Sequence, residues 1–166
     1  MPHLSEKIRD AFNEQINVEL NSAYSYLGMA VYATEATLMG AASWLRLQAE
    51  EELGHATKLI DYMTDRGGGV ELKGISQPPI NFESLRDVFR NVLEHERKVT
   101  ASIYRMYDLV AQERDYAAQA LLDWYVNEQV EEENSALEVL RMLELAGDSG
   151  PGLLMVDRRL AERARA

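Results

Sequence analysis

Cysteine is absent from this chain of 166 residues. That excludes disulfides, iron–sulfur clusters, thiolate zinc sites and cysteine nucleophiles together. No apolar run approaches the roughly 20 residues of a membrane span. Residues 1–7 lead straight into amphipathic sequence, without the pattern of a leader peptide. These absences fit a cytoplasmic protein. Basic residues number 17 against 28 acidic ones, a formal net charge of −11. Such a surface argues against nucleic acid and anionic membrane as partners and suits the collection of cations. Internal repeats and low-complexity segments are missing too. What is present is 46% hydrophobic sequence, enough for one domain, residues 1–166, with a sizeable core.

The most informative stretch is Glu50-Glu51-Glu52-Leu53-Gly54-His55. It lies inside residues 39–66, where apolar side chains recur at helical spacing. Ala41, Leu45, Ala49, Ala56, Leu59 and Met63 all fall within about 60° of Glu52 when each residue turns about 100°. A carboxylate in a core stripe costs several kcal/mol unless it is paired, protonated or on a metal. His55, three residues on, shares the face and points to the metal.

Three other segments show an interrupted stripe. Ser5 can cap a first helix running to about residue 34, with Ile8, Phe12, Ile16, Ala23, Tyr26, Leu27 and Ala30 on its stripe and Glu19 at the centre. Ser84 and Asp87 resemble a capping box before a third helix, whose stripe from Leu85 to Tyr107 centres on Glu96. Asp115 can cap a fourth, where Gln129 breaks the stripe and Glu132 follows one turn on. Gly67-Gly68-Gly69 stops the second helix, and the sequence from Ala146 to Gly152 stops the fourth. The link ending in Pro78-Pro79 lacks helical period and reaches about 45 Å if extended at about 3.3 Å per residue. It can run the length of a bundle. A short amphipathic helix over about 153–164 closes the chain. The expected fold is all-α: a four-helix bundle over about 5–146 with one long crossover connection, plus the C-terminal fifth helix.

Glu19, Glu52, Glu96 and Gln129 each stand near the middle of their helix, so equal helices bring them to one level. The bundle centre should hold them with His55 and Glu132. A lone glutamate on a stripe is most often a snorkelling or paired side chain; four breaks at one level are not explained that way. Ionised, the group carries a charge near −4, and the carboxylates raise one another's pKa values. Two divalent cations would neutralise it. Oxygen-rich ligands with one nitrogen suit iron or manganese better than structural zinc, and Glu52 is placed to reach both ions. His95 lies about 100° from Glu96, off the stripe, and with His3 reads as a surface residue. A scaffold whose polar layer only sets helix register is the non-enzymatic alternative.

With Asn13-Glu14-Gln15 before Glu19, and Trp124 to Gln129 before Glu131-Glu132-Glu133, the chain resembles the non-haem bacterial ferritins over essentially its whole length. Ferritin-like sites pair two single glutamates with two Glu-x-x-His motifs. Here one motif is Glu52-x-x-His55, and Gln129-x-x-Glu132 replaces the other. The resemblance implies iron storage with ferroxidase activity: Fe(II) oxidised by O2 or H2O2 at an intrasubunit di-iron centre and kept as ferric mineral in a hollow shell of 24 subunits. One iron would sit on Glu19, Glu52 and His55, the other on Glu52, Glu96 and Gln129 with Glu132 nearby. A third site maps to Glu51, Glu128, Glu131 and Glu132. Tyr26 matches the family's site tyrosine and Trp124 a tryptophan near the centre. Haem is not expected, because the position after the bridging glutamate is Leu53 rather than methionine. The alternative within the same fold is a di-iron oxidase or peroxidase that stores nothing.

Overall fold

The computed structural model describes residues 3–165. Its helices are α1 (Glu6–Glu35), α2 (Met39–Asp65), α3 (Leu85–Gln112), α4 (Tyr116–Ala146) and α5 (Gly150–Ala161), with a 3-10 turn at Glu162–Arg165. Local chemistry sets the starts. Ser5 Oγ accepts from the Ile8 amide at 3.3 Å, Ser84 Oγ from Asp87 at 3.1 Å and Asp115 Oδ1 from Ala118 at 3.0 Å. Each satisfies an amide that has no partner within its helix.

Three helix ends share one hydrogen-bond pattern. The amides of Leu38, Gly68 and Asp115 donate to the carbonyls of Ala33, Met63 and Val110, at 2.8, 2.8 and 3.0 Å. This six-to-one closure needs a left-handed residue just before the donor. Gly67 supplies it after α2 with φ 111°, while Thr37 and Arg114 adopt φ 62° and 55° after α1 and α3.

The fifth helix begins three residues before the expected 153. Ser149 Oγ accepts from the Gly152 amide at 3.2 Å, and Pro151 occupies the first turn. Gly150-Pro151-Gly152 reads as a stop for the preceding helix, yet proline is equally suited to a first turn, where its missing N–H is not needed.

Helix α1 packs along α2, α3 along α4, and α1 also meets α3. Two apolar cores result. One gathers Tyr26, Leu45, Phe89 and Leu140; the other gathers Phe12, Ile16, Leu59, Ile103 and Leu122. In each helix the polar positions noted in the sequence fall between the segments feeding these cores.

The crossover is stitched to α1 by an asparagine ladder. Asn13 donates to the Gly69 carbonyl and accepts from the Glu71 amide, both at 2.8 Å. Asn17 donates to Gly74 at 3.1 Å, and Asn21 accepts from the Ser76 amide at 2.9 Å. Residues spaced by four along α1 thereby satisfy backbone groups of a chain that has no sheet or helix of its own.

Candidate metal centre

Four helices place their central polar side chains in one sealed layer. Glu19, Glu52 and Glu96 are each 1% exposed, and His55, Gln129 and Glu132 are buried with them. His55 Nδ1 lies 3.6 Å from Glu52 Oε2 and 4.0 Å from Glu19 Oε2. Among the described residues, three sets of Asp, Glu or His side chains each bring their ligand atoms within 4.8 Å of one another: Glu19, Glu52 and His55; Glu52, Glu96 and Glu132; and His55, Glu128 and Glu132. Glu52 belongs to two of them. Glu128 is half-buried, whereas Glu51 and Glu131 are exposed and join none of these sets.

Two buried glutamines hold the carboxylates from behind. Gln15, one turn before Glu19, donates to Glu19 Oε1 at 2.8 Å and accepts from Ser102 Oγ at 2.6 Å. Gln48, one turn before Glu52, donates to Glu52 Oε1 at 3.5 Å and to Glu132 Oε2. Glu96 accepts from the Tyr26 hydroxyl and, at 3.2 Å, from Gln129 Nε2. Gln129 thus turns its amide nitrogen toward Glu96, while Glu132 completes the set with Glu52. Gln15 stands in the family-like run Asn13-Glu14-Gln15, and Gln48 lies outside every motif read from the sequence. Their signal is the repeated Gln-x-x-x-Glu spacing, which puts an amide one turn from a carboxylate on the same face.

Burial pushes the Glu19 and Glu52 carboxyls well above the usual carboxylate range, and repulsion from Glu52 and Glu96 respectively adds to it. Burial, then Glu96, lifts Glu132 to about 8. Burial and Glu96 also raise the Tyr26 phenol, which holds its proton and stays a donor. Among the described residues no amide or hydroxyl donates to Glu19 Oε2, whose neighbours are the Glu52 carboxyl and the His55 ring. A carboxylate oxygen facing an imidazole and a second carboxylate fits a cation as its partner.

Aromatic groups close the flanks. Trp124 stands edge-on to His55 at 5.3 Å between ring centres, and Tyr125 donates to the His55 carbonyl at 2.6 Å. His95 is not the surface residue its angle suggested. Its Nε2 lies 2.6 Å from Ser22 Oγ, and its ring stands edge-on to Tyr26. Ser22 Oγ also lies 2.9 Å from the Val18 carbonyl oxygen, one turn earlier on α1. Helix α1 covers that side of α3, which a single-helix projection cannot show.

Comparison with known proteins gives a consistent result. A family model described as a ferritin-like domain matches residues 9–146. A bacterial non-heme ferritin of Bacteroides fragilis is 38% identical over 160 residues, covering 96% of this chain and 99% of that protein. One from Staphylococcus aureus is 34% identical, covering 96% of each. Among solved structures, an open pore ferritin from the hyperthermophilic archaeon Archaeoglobus fulgidus superposes with a TM-score of 0.94 at 44% identity, covering 95% of this chain and 97% of the other. A humanized archaeal ferritin gives the same TM-score and identity over 95% and 96%.

Proposed function

The chain belongs to the ferritin family of iron-storage proteins, and we propose that it oxidises Fe(II) in its buried layer before storing it. The observation that carries this reading is Glu52, shared by two adjacent ligand sets inside a buried layer. One Fe(II) would be held by Glu19, Glu52 and His55, and the second by Glu52, Glu96 and Glu132, with Gln129 beside it. Two Fe(II) ions each give up one electron, which matches a two-electron oxidant such as O2 or H2O2. Glu128 and Glu132 mark a flank where a third ion can bind, to which Glu51 and Glu131 add charge. Storage requires an enclosed volume, and we assign the chain to a homo-oligomeric shell, of 24 subunits on the family pattern.

The residues do definable work in this scheme. Ligation requires deprotonated carboxylates, so binding Fe(II) expels the protons that burial keeps on Glu19, Glu52 and Glu132. The anionic set then favours the higher charge of Fe(III). Gln15, Gln48 and Tyr26 hold the other carboxylate oxygens and so fix where the ligand oxygens point. The carboxylates supply geometry and charge; the electrons come from the iron.

Stopped-flow absorbance on mixing Fe(II)-loaded protein with O2 tests the arrangement. Glu52→Ala removes a ligand from both ions and should slow oxidation more than about 100-fold, while Gln129→Ala perturbs a supporting amide and should cost about 10-fold. Equal losses would remove Glu52 from the bridging role.

A further inference from the structure

The fifth helix touches the metal layer through a route that lies outside the ligands. Its second half is locked on α2 at Asp157. A Cβ on Gly40 would lie 1.8 Å from the Asp157 carbonyl oxygen, so the two backbones pack as closely as only glycine allows. Asp157 Oδ1 accepts from the Ala41 amide at 2.8 Å, capping α2, which has no side-chain cap of its own. From there α5 and its 3-10 turn follow α2 toward the layer and deliver Arg163.

The Arg163 guanidinium is held at three points. Nη1 donates to Gln48 Oε1 at 2.9 Å, Nη2 donates to Glu51 Oε2 at 2.5 Å, and the group lies over the Trp44 ring, 4.7 Å from its centre. Arginine offers donors only. It therefore fixes the buried Gln48 amide with oxygen outward and nitrogen toward Glu52 and Glu132. Gln48 in turn donates to Glu132 Oε2, so Arg163 stands one amide away from that carboxylate on the flank of the layer. His55, Glu128 and Glu132 form a ligand set there. One tethered cation thus stands where several acidic groups converge.

We propose that Arg163 is a tethered cation that competes with metal ions for the flank of the layer marked by Glu51, Glu128 and Glu132, so that an ion beyond the first two binds by displacing it. This rests on the metal-binding reading of the layer. The guanidinium cannot itself be a ligand, and while it engages Glu51 that carboxylate is withheld from metal. Its contacts suit an exchangeable occupant. The Glu51 side chain is 46% exposed, and partly exposed ion pairs hold weakly. A divalent ion brings twice the charge to the same oxygens. Arg163 is then a residue that sets how many ions the site takes and in what order, while Asp157 and Gly40 keep α5 docked in either state.

Calorimetric titration of the assembled, metal-free protein with Zn(II), a redox-inert probe, separates the first two ions per subunit from any that follow. Arg163→Gln should bind the ion that follows the first two at least about tenfold more tightly than the unsubstituted protein, about 1.4 kcal/mol. Adding Glu51→Gln should cancel that gain. In the unsubstituted protein, tryptophan emission should shift as the later ion binds and the guanidinium leaves Trp44, and the shift should vanish in Trp44→Phe. An unchanged or weaker later ion in Arg163→Gln, or Trp44 emission that stays constant through that step, overturns the proposal. Failure of the unsubstituted protein to take the first two ions overturns the metal-layer reading and this proposal with it. Two ions bound with no effect of Arg163 overturns the competition alone.

Discussion

At the scale of single residues, the metal-free site works against the fold, and pH shows how. The carboxyls of Glu19, Glu52 and Glu132 are raised in the folded state, Glu132 to about 8, while an unfolded glutamate titrates near about 4.3. The folded chain therefore binds more protons at this layer than the unfolded one. The associated stability is fully present below about 4.3 and is lost as pH rises through the folded values. Carrying Glu132 alone from about 4.3 to about 8 sets a ceiling of about 5 kcal/mol on that loss. Metal ligation opposes it, because only the deprotonated folded site binds the ion. Calorimetry should find Zn(II) raising the melting temperature more at pH 7 than at pH 5. Glu19→Gln with Glu132→Gln should stabilise the metal-free fold at pH 7 by at least about 1 kcal/mol and lose most of the zinc effect. A double variant less stable than the parent, or one stabilised equally by zinc, would show that these carboxylates do not share a buried layer.

At the scale of helices, the links carry a removable strain. Thr37 and Arg114 hold left-handed backbone at φ 62° and 55°, and both are exposed. A side chain in that region costs about 1–2 kcal/mol, whereas glycine avoids the clash and loses roughly 0.5–1 kcal/mol of chain entropy. Thr37→Gly should therefore stabilise the protein by about 0.5 kcal/mol, and Arg114→Gly by a similar amount, additively because they lie in separate links. Chemical denaturation of both single variants and the double checks this; a loss of stability in either single variant would show that its side chain does more than the backbone argument allows.

The same elements show what the sequence disclosed. Long stripes with Glu19, Glu52, Glu96 and Gln129 at their centres revealed the helices and their common level, because period and helix length are local properties. Ser5, Ser84 and Asp115 marked three starts for the same reason. The groups that lie across a helix pair were harder to read. Asn13, Asn17 and Asn21 look like ordinary polar positions until the crossover is laid beside them. Asp157 caps a helix more than 100 residues away. His95 and Arg163 acquire partners only when α1 and α2 are packed against α3 and the terminal turn. Gly150-Pro151-Gly152 carried two compatible meanings, and only Ser149 as a cap decides between them.

At the scale of the whole molecule, exposed apolar side chains gather on one face of α1 and the crossover beside it. Tyr24, Leu27 and Val31 are 41%, 46% and 43% exposed and recur along one face of α1. Ile75 and Ile80 of the crossover extend that patch with exposures of 43% and 45%. Grouped exposed side chains of this kind mark contact with other chains. Leu27→Asp with Val31→Asp should leave the helical content intact and reduce the particle to small species by light scattering coupled to size exclusion. A full-size particle from that variant would place the assembly contacts elsewhere. The buried ligand sets lie in the middle of a single bundle. We propose that this layer takes two iron ions bridged by Glu52. Anomalous diffraction at the iron edge from crystals soaked anaerobically in Fe(II) measures that directly. Two peaks per subunit are predicted, one among Glu19, Glu52 and His55 and one among Glu52, Glu96 and Glu132; a layer without iron, or iron bound away from Glu52, would contradict it.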